Sequence, residues 1–414
     1  MATGVTIPKF VVDLSKPPED RYAHIVPHFQ NAVESCNLPD LFDELLHDLA
    51  GSTLGKALAA VSRVLMRRVY VSEESAELRG ISKAMGIPMH IMVAFNVLLD
   101  LLLGCTSGGA RTIDPNSYST PWATRILHFR TLDWGMDRLR RIVVELDFVR
   151  HAGGPVAATT VTYLGYVGVL TGVRKGLSMS LNFRPYHARE TLRERVTFRW
   201  HQAMVVLGYR QSISSVLRGF LLDPLPGDKT DLQRGKLPVD ADVDLSDAQD
   251  AHIQDILTTL STSRSTAAYL IFCLPGKIYI VEKDHKKASI RESDTFLTAY
   301  NHDARDEADP SQLQQAAQDL AAGEDATGMA DLVAYSVERK NHLDELWQKR
   351  VRACKRRHNK QEGQVVTLRD VIQFLKDDEI SNDETHYAVI MDPTDGKVIW
   401  RKLYESDETD WSDE

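Results

Sequence analysis

The pattern of apolar residues changes period at Gly104-Cys105, and this constrains the fold more than any other feature of the sequence. Before that point apolar residues recur at helical spacing over 19–35, 38–50 and 56–86, with an interruption inside the last stretch. A short apolar strand over 10–13 precedes them, and a strongly apolar helix over 89–103 leads up to Gly104, which ends it. From Cys105 onward period-two alternation takes over and predicts strands over 125–129, 141–148, 159–163 and 177–181. Helices over 189–207 and 212–222 follow, then a loop or insertion rich in aspartate over 223–247. Further strands are predicted over 268–273, 277–282 and 296–300, helices within 310–357, and a closing strand pair over 387–391 and 398–401. Sheets and helices each need a second layer to bury their apolar face, so this block order predicts layered α+β packing. There is no βαβ alternation, no Gly-rich phosphate loop and no internal repeat. The chain divides into a mostly helical segment 1–104, a body 105–403 and an acidic, flexible tail 404–414.

A chain of 414 residues with 43% hydrophobic and 26% charged residues has enough apolar surface for a large soluble domain or two smaller ones. Its net charge of -9 excludes a dedicated nucleic-acid binder, which would be basic. Much of the negative excess lies in the tail, in Glu405, Asp407, Glu408, Asp410, Asp413 and Glu414. The opposite sign gathers between Lys349 and Lys360, either as the solvated face of a surface helix or as a peripheral contact with an anionic membrane. The apolar stretch 89–103 is too short to span a bilayer and carries Asn96 and Asp100. The four cysteines, Cys36, Cys105, Cys273 and Cys354, form neither a metal-like CxxC nor a disulfide framework. The first residues lack a basic-then-apolar leader, and no asparagine lies in an N-x-Ser/Thr sequon, so a cytoplasmic address with reduced thiols is expected.

Cys105 is the residue that most needs a role. A cysteine next to an apolar helix suits a buried small hydrophobe as well as it suits a nucleophile. Downstream lies Arg130-Thr131-Leu132-Asp133-Trp134-Gly135, whose arginine and aspartate either form an ordinary local ion pair or leave a strand toward the cysteine and lower its thiol pKa. His128, His201 and His302 have no partner at metal-ligand spacing, and no metal or cofactor is expected. His302, beside Asn301, is the histidine to watch.

Taken together, these segments are recognisable. Cys105-Thr106-Ser107, the Arg130 to Gly135 segment, Gly165-Tyr166-Val167-Gly168-Val169-Leu170-Thr171-Gly172 and Ser180-Leu181-Asn182-Phe183-Arg184 resemble the acid ceramidase family, which includes the N-acylethanolamine acid amidases. Val11-Val12-Asp13-Leu14 with Pro17-Pro18-Glu19-Asp20-Arg21-Tyr22, and Leu297-Thr298-Ala299-Tyr300-Asn301-His302-Asp303, extend the resemblance. It implies a cysteine N-terminal-nucleophile (Ntn) hydrolase with an αββα sandwich and a helical N-terminal segment. The precursor would cut itself between Gly104 and Cys105, and the freed α-amine of Cys105 would then serve as the base for its own thiol.

The resemblance also implies roles. Asp133 orients that amine, Arg130 balances charge, and Asn301 donates into an oxyanion hole, where one donor lowers the barrier by roughly 3 kcal/mol. A second arginine is implied downstream; Arg305 follows closely, but Arg339 is the preferred candidate. Asn182 is implied at the substrate amide, and Phe183 stands where animal members carry a glutamate. The substrate implied is a fatty-acyl amide lipid, ceramide first. An N-acylethanolamine or other N-acyl amine amidase, an acyltransferase and a non-catalytic lipid-binding homologue are the alternatives.

Overall fold

The computed structural model describes residues 6–98, 104–113, 123–185, 191–223, 245–308, 326–357 and 363–405. Two sheets carry the fold. The eight-stranded sheet runs, from edge to edge, β1 (Lys9–Asp13), β4 (Val143–Val149), β5 (Val156–Tyr163), β6 (Thr171–Arg174), β7 (Leu177–Phe183), β8 (Ala268–Cys273), β9 (Ile278–Asp284) and β10 (Lys287–Ser293). The six-stranded sheet runs β11 (Phe296–Ala299), β2 (Gly104–Ile113), β3 (Thr124–Asp133), β13 (Thr385–Asp392) and β14 (Lys397–Leu403), with β12 (Val366–Thr367) parallel to the far end of β2.

Period-two alternation decides what lies between the sheets. On β3, Ile126 packs with Tyr269, Ile271 and Ile280 of the other sheet. Its neighbour Leu127 points the other way, into a cluster with Leu343, Trp347 and Phe374. Those three belong to α8 (Ala326–Arg357) and α9 (Leu368–Phe374), which cover the outer face of the six-stranded sheet. The eight-stranded sheet is covered by α5 (Leu192–Val206), α6 (Ile213–Leu222) and α7 (Leu245–Thr262). The result is an α+β sandwich in the layer order α–β–β–α. In β2, Gly108 is required by close approach, since a Cβ there would lie 2.5 Å from the Leu297 carbonyl oxygen.

The helical segment preceding Cys105 is built into this body. Its strand β1 pairs in parallel with β4, Lys9 opposite Glu145 through Asp13 opposite Val149. Its helices α1 (Gln30–Cys36), α2 (Leu38–Leu65), α3 (Ser72–Met85) and α4 (Met89–Leu98) share one core with the body, in which Phe29, Leu78 and Met92 join Val144, Tyr163 and Leu181. A buried charge cluster adds a polar tie. Glu77 of α3 accepts from Arg21 at 2.8 Å and from Arg218 of α6 at 2.7 Å, and Arg218 also donates to the Val167 carbonyl at 2.8 Å. Asn96 of α4 donates to the Gly165 carbonyl at 2.8 Å and accepts from Val167 N–H at 2.8 Å.

Several expectations need correction. The predicted helix 19–35 is two 3₁₀ turns, Pro18–Asp20 and Val26–Phe29, followed by α1; Pro27, inside the predicted stretch, lacks the N–H that a continuous helix would use. The stretches 38–50 and 56 onward are not separate: α2 runs through Gly51 and Gly55 and ends at Leu65, and the break falls before Ser72. Gly86, at φ 69°, closes α3 in the left-handed region. Six strands and α-helices lie outside the expected set: β2, β6, β10, β12, α7 and α9. β10 is a polar edge strand and β6 has four residues, so neither shows a strong alternation. Most of the predicted loop 223–247, the start of the predicted helix 310–357, the end of the predicted helix 89–103, the end of the basic run and nearly all of the acidic tail lie outside the described residues.

The Glu77 cluster generates a stability prediction. Removing its carboxylate leaves Arg218 and Arg21 without their buried counter-charge, so Glu77→Ala should lose about 3–5 kcal/mol of folding stability. Urea unfolding of both proteins measures this, and a loss below about 1 kcal/mol would show that Glu77 does not couple the helical segment to the body.

Candidate active site

Cys105 is the second residue of β2, so the register of a central strand fixes its place. It lies opposite Leu132 of β3, which lies opposite Tyr387 of β13. Residues directly opposite one another in antiparallel strands share a face. Cys105, Ser107, Arg130 and Tyr387 therefore face the eight-stranded sheet, while Thr106, Thr131 and Asp133 face α8. Arg130 and Asp133 are an odd number of residues apart and so leave β3 on opposite faces. They approach the start of β2 from its two sides.

On the inter-sheet side, Arg130 Nη2 donates to Cys105 Sγ at 3.1 Å. The guanidinium is fixed by the Leu170 carbonyl at 2.6 Å, the Leu181 carbonyl at 3.0 Å and the Thr171 hydroxyl. It lies over the Tyr387 ring, 5.9 Å from the centroid. Tyr387 in turn donates from its hydroxyl to the Val161 carbonyl at 3.1 Å. Among the described residues no carboxylate pairs with Arg130. Both Cys105 and Arg130 have no exposed surface. Burial raises the thiol pKa above its usual value, and the Arg130 charge is the main opposing influence.

On the helix side, Arg339 of α8 is the organising group. Its Nη1 donates to Asp133 Oδ2 at 3.0 Å and to Thr106 Oγ1 at 2.8 Å, and its Nη2 donates to Asn301 Oδ1 at 3.1 Å. The backbone N–H of Cys105 donates to the same Asn301 oxygen at 3.0 Å. Asp133 also accepts from the Thr385 hydroxyl at 2.7 Å. Burial raises the Asp133 carboxyl above the ordinary aspartate value, with Arg339 first and Thr385 next holding it down. One helical turn before Arg339, Ser336 Oγ accepts from the Asn301 N–H at 2.8 Å and lies 2.7 Å from His302 Nδ1.

The structure thus brings together all six residues singled out from the sequence, with two changes in how they are used. Asn301, expected as an oxyanion donor, turns its acceptor toward Cys105 and Arg339, and its Nδ2 donates to the Phe183 carbonyl at 2.9 Å. Two donors converging on one oxygen fix that orientation of the amide. Asn182, expected at the substrate amide, is saturated within the protein: it accepts from Ser107 Oγ at 2.7 Å and donates to the carbonyls of Ala299 at 3.0 Å and Cys105 at 3.4 Å. Of the two arginine candidates, Arg305 is an exposed side chain 3.5 Å from Asp303, and Arg339 is the one in the site.

Among the described residues, Asp133 is the carboxylate that acts on Cys105, and none stands in for the glutamate that the resemblance places at Phe183. The nearby Asp303 is held bidentately by Arg184, at 2.7 and 2.6 Å, and accepts from Tyr269 at 2.9 Å. Sequence reasoning missed Thr106, Ser336 and Thr385, which hold the charged groups; only their position at strand starts and on the α8 face could have marked them. His128 lies between Ser178 and Ser180 at 3.0 and 2.9 Å, and burial pushes its pKa down to about 3, so it stays neutral as a structural group. No group of metal-ligating side chains forms among the described residues. A buried thiol on a guanidinium, next to its own strand-initial amide, is an arrangement suited to nucleophilic acyl transfer.

The chain is similar to known proteins over part of its length. The family profile described as the beta subunit of N-acylethanolamine-hydrolyzing acid amidase matches residues 5–70. An N-acylethanolamine-hydrolyzing acid amidase of Caenorhabditis elegans is 31% identical over 186 residues, 42% of this chain and 47% of that protein. An acid ceramidase of Rattus norvegicus is 29% identical over 208 residues, 43% of this chain and 46% of that protein. The chain therefore spans under half the length of these relatives. A solved structure, the Caenorhabditis elegans N-acylethanolamine-hydrolyzing acid amidase ortholog, aligns with a TM-score of 0.45 at 18% identity, covering 72% of this chain and 100% of that one. Over the matched residues, the chain is similar in sequence to acid ceramidases and to N-acylethanolamine-hydrolyzing acid amidases.

Proposed function

We propose that this protein is a self-processing cysteine amidohydrolase that cleaves the amide bond of a fatty-acyl lipid, ceramide being the first substrate class and N-acylethanolamines the second. The observation that carries this reading is the double hold on Cys105: its thiol on Arg130 and its backbone nitrogen on Asn301. In the uncut chain Cys105 Sγ attacks the Gly104 carbonyl carbon. The tetrahedral adduct collapses with loss of the Cys105 nitrogen, which takes up a proton to become the free α-amine. Water then hydrolyses the Gly104 thioester and regenerates the thiol.

The mature reaction repeats this chemistry on the substrate. The α-amine accepts the thiol proton, the thiolate attacks the acyl carbonyl, and the amine product leaves with that proton. Water releases the fatty acid. Asn301 Oδ1, held by Arg339, positions the amine, and Asp133 offsets its positive charge when protonated.

An insoluble substrate must be met at a lipid surface. The apolar side chains Leu192, Val196 and Trp200 recur four residues apart on α5 and are 70%, 60% and 57% exposed. Val61, Val64 and Leu65 lie in the last turns of α2, with Val64 58% exposed. A lipid-facing role suits these stripes better than it suits the basic end of α8. That end lies by Ile113, at the opposite end of β2 from Cys105. The named relatives favour neither substrate class decisively, since one is an N-acylethanolamine amidase and the other a ceramidase.

Intact-mass analysis of purified protein, incubated at neutral and acidic pH, tests the self-processing step. Wild type should give two fragments whose masses sum to the chain plus one water, with Cys105 as the new N-terminus, and Cys105→Ala should stay whole. An uncut wild type under every condition rules the reading out. Product analysis on ceramides and N-acylethanolamines then decides between the two substrate classes.

The acidic limb of the processing rate follows the Asp133 charge. Because burial raises that carboxyl, the rate should begin to fall at a pH above the usual aspartate value of about 4. Arg339→Ala removes the charge that most favours the ionised form, so the limb should move to still higher pH and the rate should drop by roughly 10–100-fold. Arg339→Lys should restore the limb in part. An unmoved limb in Arg339→Ala would mean that Asp133 does not govern processing.

A further inference from the structure

On the helix-covered face of the eight-stranded sheet, β9 buries a lysine that forms no ion pair with a carboxylate among the described residues, Asp284 acting on it only from the other face. Alternation is the cause. Glu282 and Asp284 flank Lys283 and point between the sheets, where Glu282 accepts from the Ala304 N–H at 3.1 Å and pairs with Arg291 at 3.3 Å. Asp284 pairs there with Arg184 at 3.5 Å. Lys283 points the other way, has no exposed surface, and donates to the Ser263 carbonyl at 2.8 Å, just past the end of α7. Burial pushes its pKa down to about 8.

Two histidines close over this lysine. His201 of α5 and His285 of the β9–β10 turn have ring centroids 5.0 Å apart at an interplanar angle of 66°. Arg210 donates to His201 Nδ1 at 2.9 Å, and an arginine can only donate, so the neutral ring carries its proton on Nε2. That N–H belongs to a side chain 1% exposed and has no partner among the described residues. His285 Nδ1 lies 3.3 Å from the Ser265 carbonyl, which can only accept, and its Nε2 is buried without a partner as well. Burial first, then His285, Arg210, Arg264 and Lys283, hold His201 down to about 4. Arg264 and Lys286 stand at the exposed rim.

We propose that His201, Lys283 and Arg264, framed by Arg210 and His285, form a binding site for a phosphate-class oxyanion on the face of the sheet opposite the Cys105 centre. Arg264 stands in sequence between Ser263, which receives Lys283, and Ser265, which faces His285, so a buried imidazole N–H, an ammonium with protons beyond the one given to Ser263 and an exposed guanidinium share one region, and a tetrahedral oxyanion supplies several acceptors and negative charge together. A metal cation would meet the same positive field unfavourably. Either free phosphate or the phosphate of a lipid headgroup carries this chemistry. Leu192, Val196 and Trp200, exposed on the helix that bears His201, make the headgroup geometrically accessible.

The test is calorimetric titration of the full chain with inorganic phosphate, against sodium chloride at equal ionic strength. Wild type should bind phosphate and not chloride, Lys283→Met should weaken binding at least ten-fold, and Arg264→Ala should weaken it several-fold. Arg264 is exposed, so its variant decides the matter even if Lys283→Met fails to fold. The source is read from flotation with phosphatidylcholine vesicles with and without phosphatidic acid. Binding that needs phosphatidic acid and is competed by phosphate identifies a headgroup site, and phosphate binding without vesicle binding identifies a soluble anion. Phosphate behaving as chloride does, or binding unchanged in the variants, overturns the proposal.

Discussion

The site depends on one buried guanidinium, that of Arg339. It joins the first residues of β2, the last residue of β3 and the residues after β11 through Thr106, Asp133 and Asn301. The ladders pair β2 with β3 and β2 with β11, so β3 and β11 never meet directly. A helix-borne side chain long enough to cross the end of the sheet links the side chains that these ladders bring to one edge. Removing a buried charge of this kind leaves its partners uncompensated, which is why such groups are sensitive points of a structure.

The charge count around Cys105 explains how the cysteine is used. Two buried arginines, Arg130 and Arg339, face one buried carboxylate, Asp133, and Arg130 has no carboxylate of its own among the described residues. Burial alone favours a protonated thiol, and the Cys105 pKa is raised accordingly. A thiolate would nevertheless supply the one negative charge that the two arginines leave unmatched. Cys273 makes the contrast. It is equally buried, but only a serine hydroxyl opposes the burial, and its pKa lies well above the usual thiol value. The two cysteines are buried alike and differ in the charge placed beside them.

The helical segment before Cys105 is held independently of the peptide bond at Gly104. The β1–β4 ladder, the shared core, the Glu77 cluster and the two hydrogen bonds of Asn96 all cross from one side of that bond to the other. A cut at this junction would therefore leave the two pieces associated. The site forms at the join because β2 starts there, with Cys105 one residue inside the strand.

The sequence by itself determined the kinds of elements and most of the site's members. The shift from helical to strand periodicity at Gly104, the Arg130 to Gly135 segment and the Leu181-Asn182-Phe183 segment were all local signals, visible without knowing which strands pair. What only the tertiary structure decided was direction and partnership. The odd spacing of Arg130 and Asp133 puts them on opposite faces of β3, and their common target exists only because β2 lies beside them. Arg339 could not be separated from Arg305 by spacing, since its role comes from where α8 crosses the sheet. Asn301 and Asn182 carry the right chemistry at the right place, but an amide presents a donor and an acceptor, and the choice between them is made by neighbours far away in sequence. Periodicity is a property of successive residues, so a sequence carries it in full; the facing of one side chain on another depends on contacts between residues tens to hundreds of positions apart, and those exist only once the sheets and helices have packed.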